Sequence, residues 1–518
     1  MNNLLDTEDL LTSTTSKQST KRSRQTDSGR HTGTKKRSLI QPTQSNKKSK
    51  SIKKSKRIFA PHIITRRNTQ QTADILQEVC HRLGTDLCLS LSTYRQDILT
   101  LFENFIYFNN VHGNTYRLGK PSANGFIRKL EYKIRNITSH AILKSSANTI
   151  SDNLAYEYAV GLFVNKYRTI FSCFVQTYGL YYYISKRAWT FSKDHINIDA
   201  DRLRQNLELQ QHLPDYSDIC KYSKYAAILI EDIASKETLG DYLKFQDEGL
   251  EHFAKFKLVY ILYQIYFPLS VLSDQFTHYD LHSDNILLYE PFPGKYIEYH
   301  YHCEDGSEVV FKSTFIAKII DYGRSFYHID DGDNSKTFYD NLCATDECST
   351  TDTKVVTSKK PDGKLFREKI NIKIPCGEDF GFDTMSDYAE TNWQIRSYKK
   401  NASHDLRLLY SFIKPAILRL SSEKTKELSE FREMLRKITY GKGVTMFNES
   451  VGTIENNSQN GRINNVKQAE QEMRHILRKG TILQELNDGK YHNIENKLGD
   501  LHMYIDGTPM HFDIYQHP

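Results

Sequence analysis

The chain is poor in the features that would place it in a disulfide scaffold, a zinc module or a membrane. Its 518 residues hold 8 cysteines, and none forms C-x-x-C. They are scattered at Cys80, Cys88, Cys173, Cys220, Cys303, Cys343, Cys348 and Cys376. That spread excludes a cysteine-dense secreted scaffold and favours reduced thiols in an intracellular protein. Cys343 and Cys348 are the closest pair, but no second pair at zinc spacing accompanies them, so two ordinary loop cysteines is the simpler reading. Long apolar runs are missing too. The longest, LVYILYQIYFPLSVL at 258–272, contains Gln264 and Pro268 and is too short to span a bilayer. It reads as a buried helix. The opening MNNLLDTEDLL is acidic and lacks the basic region of a secretory leader.

What is present is apolar and aromatic matter, 38% and 12% of the chain, with 33 Tyr and 26 Phe. That supports a sizeable core over most of its length. Charge is unevenly placed. Residues 1–60 hold 15 Lys and Arg against 4 Asp and Glu, a tail of +11, which leaves −4 for the rest of a chain of net +7. The tail is rich in Ser, Thr, Gln and Asn and nearly lacks aromatics, so it cannot bury enough surface to offset chain entropy, and disorder is expected. Its clusters KKR at 35–37 and KKSKSIKKSKR at 47–57 suit a nuclear import signal or a loose nucleic-acid contact; a solubilising tail with no fixed partner is the competing reading.

Beyond the tail, 69–108 has apolar residues three and four apart, as in helices. From 116 the texture becomes extended, with a loop containing Gly119, Pro121 and Gly125. SHAILKSS at 139–146 alternates as a strand and carries Lys144; NLAYEYAVGLFVNKY at 153–167 is an amphipathic helix holding Glu157. One or two strands follow, then a polar helical insert near 200–218, then the strand AAILIEDI at 226–233. Helices dominate from 238. NILLY at 285–289 and FIAKIID at 315–321 read as short strands, and 403–420 as a helix with Asp405 in its first turn. GKYIEYHYHCEDGSEVVFKSTF alternates around Asp305-Gly306 as a hairpin, CATDECSTTDT at 343–353 as a hydroxyl-rich loop, and MYIDGTPMHFDI near the C-terminus as a second hairpin after a helix near 467–478.

The stretch HYDLHSDNILL at 278–288 admits two chemistries. His278, Asp280 and His282 alternate and could face one way as metal ligands. The same letters read H-x-D-L-x-x-x-N before an apolar strand, and a second strand ends in Asp321-Tyr322-Gly323. A metal hydrolase needs further ligands and leaves the second strand a coincidence.

On these motifs, residues from about 116 to 440 resemble a eukaryotic-type protein kinase domain, similar to the divergent haspin-like kinases and to kinases of large DNA viruses. The resemblance implies an α+β, bilobal fold with a small β-rich N-lobe and a large helical C-lobe. It divides the chain into a basic tail (1–62), a helical lead-in (63–112), an N-lobe (113–233), a C-lobe (234–440) and a C-terminal extension (441–518). It implies ATP and Mg²⁺, with Asp280 as catalytic base and Asn285 and Asp321 as magnesium ligands. Lys144 would hold phosphates, oriented by Glu157, and Asp405 would brace the catalytic loop. Gly119, Ser122 and Gly125 would lie over the phosphates, and the main chain near Glu231 and Ile233 would receive adenine. The glycine loop departs from G-x-G-x-x-G, and no Walker loop is present. Tyr279 stands where the family has arginine, and His282 where typical Ser/Thr kinases have lysine. His282 leaves open whether the acceptor is a protein or a metabolite; a catalytically dead homologue is a further alternative. His278 is expected to bond backbone near Asp321. The expected partner is a protein substrate, with no membrane, in the cytoplasm or nucleus of a cell, a viral host included, or packaged in a virion.

Overall fold

The computed structural model describes residues within 73–514, with breaks of which the longest are 213–222, 343–349, 375–382, 410–425, 439–462 and 483–495. The described residues belong to one compact unit, Ile63–Pro518. The basic tail lies outside them, as do Cys343 and Cys348. The fold is α+β.

Seven strands make one antiparallel sheet. They are β1 (Asn114–Ser122), β2 (Gly125–Ile134), β3 (Ile137–Ser145), β4 (Thr177–Tyr183), β5 (Asn197–Asp199), β6 (Leu207–Gln210) and β7 (Ala226–Glu231), in the order β5-β1-β2-β3-β7-β4-β6. Alternation along β3 decides what each face carries. Ile137, Ser139, Ala141, Leu143 and Ser145 are buried, while Lys144 lies with Ile142 on the opposite face. The first face packs under helices Thr85–Leu91, Arg95–Leu101 and Lys186–Asp194, through Leu89, Ile98, Leu143, Leu229 and Trp189. The other meets helix Leu154–Asn165, whose Leu154 joins Leu180, Tyr182, Ala226 and Ile228.

The rest of that helix (Ala155, Tyr156, Val160, Phe163) enters a second, larger core around helix Val259–Val271. This is the apolar run of the sequence, and it is buried from Val259 to Ser270. Gln264 can sit inside because its amide bonds Phe315 O at 3.1 Å and Ala317 N at 2.9 Å, so no polar atom is left unpaired. No described helix is long and apolar enough to cross a membrane.

Two short antiparallel pairs flank the candidate site: β8 (Phe276–Thr277) with β13 (Phe326–Tyr327), and β9 (Ile286–Tyr289) with β12 (Ile316–Ile319). Between β9 and β12 the hairpin β10 (Tyr296–His302) and β11 (Glu308–Ser313) turns at Gly306, φ +74°. Farther on are the pairs β14 (Thr350–Lys359) with β15 (Leu365–Ile374) and β16 (Asp383–Tyr388) with β17 (Thr391–Arg396). The last pair, β18 (Lys497–Tyr504) and β19 (His511–Ile514), joins the β10–β11 hairpin through parallel β10–β18 pairing.

Several expectations need correction. Cys80 and Cys88 form a disulfide with Cα atoms 5.8 Å apart. They face each other across the turn at Gly84, φ +74°, a proximity that spacing in a scattered cysteine set does not reveal. The helix expected over 200–218 ends at Asn206, where the chain turns into edge strand β6. Helix Lys186–Asp194 and β5 were not anticipated. Part of the hydroxyl-rich loop, from Thr350, is strand β14. The helix expected at 403–420 opens as a tight turn, His404–Leu406, and 410–420 lie outside the described residues.

Candidate functional site

Lys144 is carried by β3 on the face that looks toward helix Leu154–Asn165. Its ammonium lies 2.8 Å from Glu157 Oε2 and 3.0 Å from Asp321 Oδ1. Glu157 is 13 residues away and Asp321 is 177, so tertiary structure alone brings the second carboxylate. Burial disfavours the ammonium charge, but Asp321 and Glu157 outweigh it and hold Lys144 well above the usual lysine range. In return Lys144 holds Asp321 below the usual carboxylate range. The Glu157 helix is tied to this segment at its start, where Asn153 Nδ2 donates to Gly323 O at 2.8 Å.

The loop from His278 to Asn285 is held by its backbone. The Asp405 carboxylate accepts from the N–H groups of His278 at 2.8 Å and Tyr279 at 3.0 Å. Asn285 Nδ2 donates to Asp280 O at 2.9 Å, and Ile320 N–H donates to Asn285 O at 3.1 Å. Asp280, Asn285 and Asp321 are thereby linked through adjoining backbones. His278 contacts Ile320 O through Nε2 at 3.0 Å; burial holds its pKa down at about 4, so at neutral pH it is an uncharged bridge. Burial pushes Asp405 up to about 7, although the two N–H donors and Arg407 pull the other way.

Two non-glycine residues here have left-handed backbone, Tyr279 at φ +63° and Asp321 at φ +67°. Each such residue costs on the order of 1–3 kcal/mol and persists only where its surroundings over-determine it. Tyr279 is fixed by Asp405 and by its hydroxyl on Lys399 O at 2.8 Å, Asp321 by Lys144.

The Asp280 carboxylate meets Arg407 Nη1 at 3.0 Å and Arg324 Nη1 at 3.6 Å. Neither arginine was anticipated. Arg407 follows Asp405 by two residues in the same turn, which is the only local signal it offers; Arg324 directly follows Asp-Tyr-Gly. His282 Nε2 stands 4.0 Å from Asp280, and burial holds His282 below its ordinary range. His278, Asp280 and His282 do not converge as a metal triad: one imidazole is spent on backbone and the carboxylate on arginines.

The β1–β2 hairpin pairs Ser122 with Gly125, and Gly119 and Gly125 have φ of +64° and +106°. A Cβ on Gly125 would stand 2.0 Å from Ser145 O, one residue beyond Lys144, so this position admits only glycine without rearrangement. Glu231 is more committed than expected. Its carboxylate is buried in an ion pair with Arg168, Nε to Oε2 at 3.0 Å. Burial opposes its charge, but Arg168 and Lys318 prevail and hold it at about 2. Its N–H donates to Gln176 O at 2.8 Å, and Ile233 O accepts from Ser235 N. Those two main-chain groups are therefore engaged within the protein.

No protein-family model matches the chain, and no curated protein matches it either.

Proposed function

We propose that this protein is a protein kinase of the bilobal, haspin-like type, which moves the γ-phosphoryl group of ATP to a Ser or Thr hydroxyl of a protein. The observation that carries this reading is the contact of Lys144 with both Glu157 and Asp321, beside a loop in which Asn285 fixes the Asp280 backbone. Phosphoryl transfer asks a protein chiefly for positioning and charge. This cluster offers one cation, two carboxylates around it, and a third carboxylate one loop away.

In the proposed reaction the acceptor Oγ forms a bond to the γ-phosphorus as the bond to the β,γ-bridging oxygen breaks, and ADP leaves. Asp280 orients the hydroxyl and takes its proton. Arg407 and Arg324 hold that carboxylate in place. Lys144 steadies the phosphates, and the Gly125 turn lets backbone approach them. The donors Asn285 Oδ1 and the Asp321 carboxylate fit Mg²⁺, which prefers oxygen, and the ion would offset phosphate charge there. The Asn285 amide nitrogen is already spent on Asp280 O, which turns its oxygen away from that carbonyl. The basic clusters of the tail suit import into a nucleus or contact with nucleic acid.

The test is transfer of labelled γ-phosphate from Mg-ATP to a generic basic protein. Wild type should label it, and Lys144→Met and Asp280→Asn should not. Nucleotide binding without transfer would replace this reading with a binding scaffold; label found only on small hydroxylated metabolites would replace the protein acceptor. Neither binding nor transfer would end it.

A further inference from the structure

The four-stranded sheet β11-β10-β18-β19 has two unlike faces. One is core: Tyr299, Tyr301, Phe311, Leu501, Met503 and Phe512 are all buried. The other gathers imidazoles. In the parallel register His300 lies opposite His502, and in the antiparallel register His302 lies opposite Glu308. The rings of His300 and His502 stack at 4.4 Å, and those of His302 and His502 lie parallel at 5.4 Å.

We propose that His300, His502 and Glu308, with His302 beside them, form a site for a divalent transition ion of the zinc class. The reading is independent of the phosphotransfer proposal. A tetrahedral zinc with bonds of about 2.0–2.1 Å holds neighbouring donor atoms roughly 3.3 Å apart. The distances here fall around that value. His300 Nδ1 is 2.8 Å from Glu308 Oε1, His302 Nε2 is 3.8 Å from Glu308 Oε1, and His302 Nε2 is 3.1 Å from His502 Nδ1. One ligand atom each from His300, Glu308 and His502 can be chosen so that all lie within 4.8 Å of one another.

The plain alternative is a solvated ladder of polar side chains, and the two ends of this face differ in how well it fits them. At one end Glu298 and Asp500 also approach His300, but lysine neutralises them: Lys497 lies 3.1 Å from Glu298 and 2.6 Å from Asp500, and Lys312 lies 3.5 Å from Glu298. That end is complete as an ion-pair network. The other end is three imidazoles and one carboxylate, the donor set that borderline ions favour. There the 3.1 Å approach of two imidazole nitrogens is the length of one N–H···N hydrogen bond, and an ion that took both lone pairs would replace that proton and turn the rings out of their near-parallel planes. Because His502 comes from β18 and the other three from β10 and β11, an ion would staple the C-terminal pair of strands to the hairpin that separates β9 from β12. Its role would be structural, on a sheet separate from the one that carries Lys144.

The experiment uses the full chain, dialysed against a chelator and titrated with Zn²⁺ and with Co²⁺ as an optical probe. The expected result is a zinc-dependent rise in Tm and visible Co²⁺ absorption of four-coordinate intensity. Glu308→Gln, at an exposed position, and His502→Ala should each weaken binding at least about tenfold. Lys312→Ala, on the same face, should leave it unchanged. Far-UV circular dichroism of each metal-free variant checks that the fold is kept. The proposal is overturned if wild type shows neither the Tm rise nor the absorption. It is equally overturned if natively folded Glu308→Gln and His502→Ala bind both ions as wild type does, because cysteines elsewhere would then be the ligands.

Discussion

Lys144 and His300 both stand among carboxylates, but they were brought there differently. Lys144 meets acids from a helix and from a distant loop, its side chain is 20% exposed, and its contacts cross three elements. His300 meets acids and imidazoles supplied by neighbouring strands of one sheet, so strand register suffices to gather them. The first cluster sits on strained backbone at Tyr279 and Asp321; the residues of the second lie on regular strands. Backbone strain therefore accompanies the cluster assembled across separate elements, where the surroundings over-determine it, and regular geometry the one assembled by strand register alone.

The sharpest way to separate the two is Asp280→Asn. It should lower phosphoryl transfer by roughly a hundredfold or more, since positioning and charge carry this chemistry, while leaving the zinc-dependent Tm rise intact. Label transfer and thermal melting on one preparation check both halves.

Next in size is Glu231→Gln behind the Lys144 sheet. Arg168 and Glu231 have side chains only 1% and 3% exposed. Removing one charge of such a buried pair costs about 3–5 kcal/mol, read as a lower urea midpoint.

Acid should act on the first cluster in a defined window. His278 titrates at about 4 in the fold against 6.5 outside it. Between those values the unfolded chain binds the proton and the folded one resists it. Its contribution is therefore complete above pH 6.5 and is lost as pH falls toward 4, on the order of 3 kcal/mol. Asp405, held up at about 7, gives the opposite slope over the same range, so the signature is the difference: the urea midpoint of wild type should fall relative to that of His278→Gln as pH drops from 6.5 toward 4.

A smaller effect is expected from Gly125→Ala. With φ at +106° and Ser145 O in the way, the variant should lose about 1–3 kcal/mol and bind nucleotide more weakly in a titration by fluorescence. The smallest belongs to the imidazole face. Metal-free Glu308→Gln should match wild type within about 0.5 kcal/mol, because Glu308 is exposed and glutamine keeps a side-chain oxygen beside His300.

Much of the first cluster could be read along the chain. Lys144 on an alternating strand, Glu157 in the apolar pattern of a helix, and Asp280 with Asn285 before a short strand all announce themselves locally. Arg407 and Arg324 do not, because a cation's partner is visible only once both chains of contact are folded. The backbone commitments of Glu231 and Ile233 were hidden for the same reason: a strand's N–H groups look alike in sequence until its neighbours are known. The Cys80–Cys88 bond was missed because scattered cysteines carry no geometry.

The α+β class was what the kinase resemblance implied, while hydrophobic patterning and turn residues by themselves determined a buried central helix and two hairpins at Asp305-Gly306 and Asp506-Gly507. Those are short-range properties, set by side-chain alternation and turn chemistry. Only tertiary structure decided that the two hairpins share one sheet, that Asp321 reaches Lys144 across the chain, and that three histidines stand together. Such meetings depend on the register and packing of elements far apart in sequence, which local pattern does not encode.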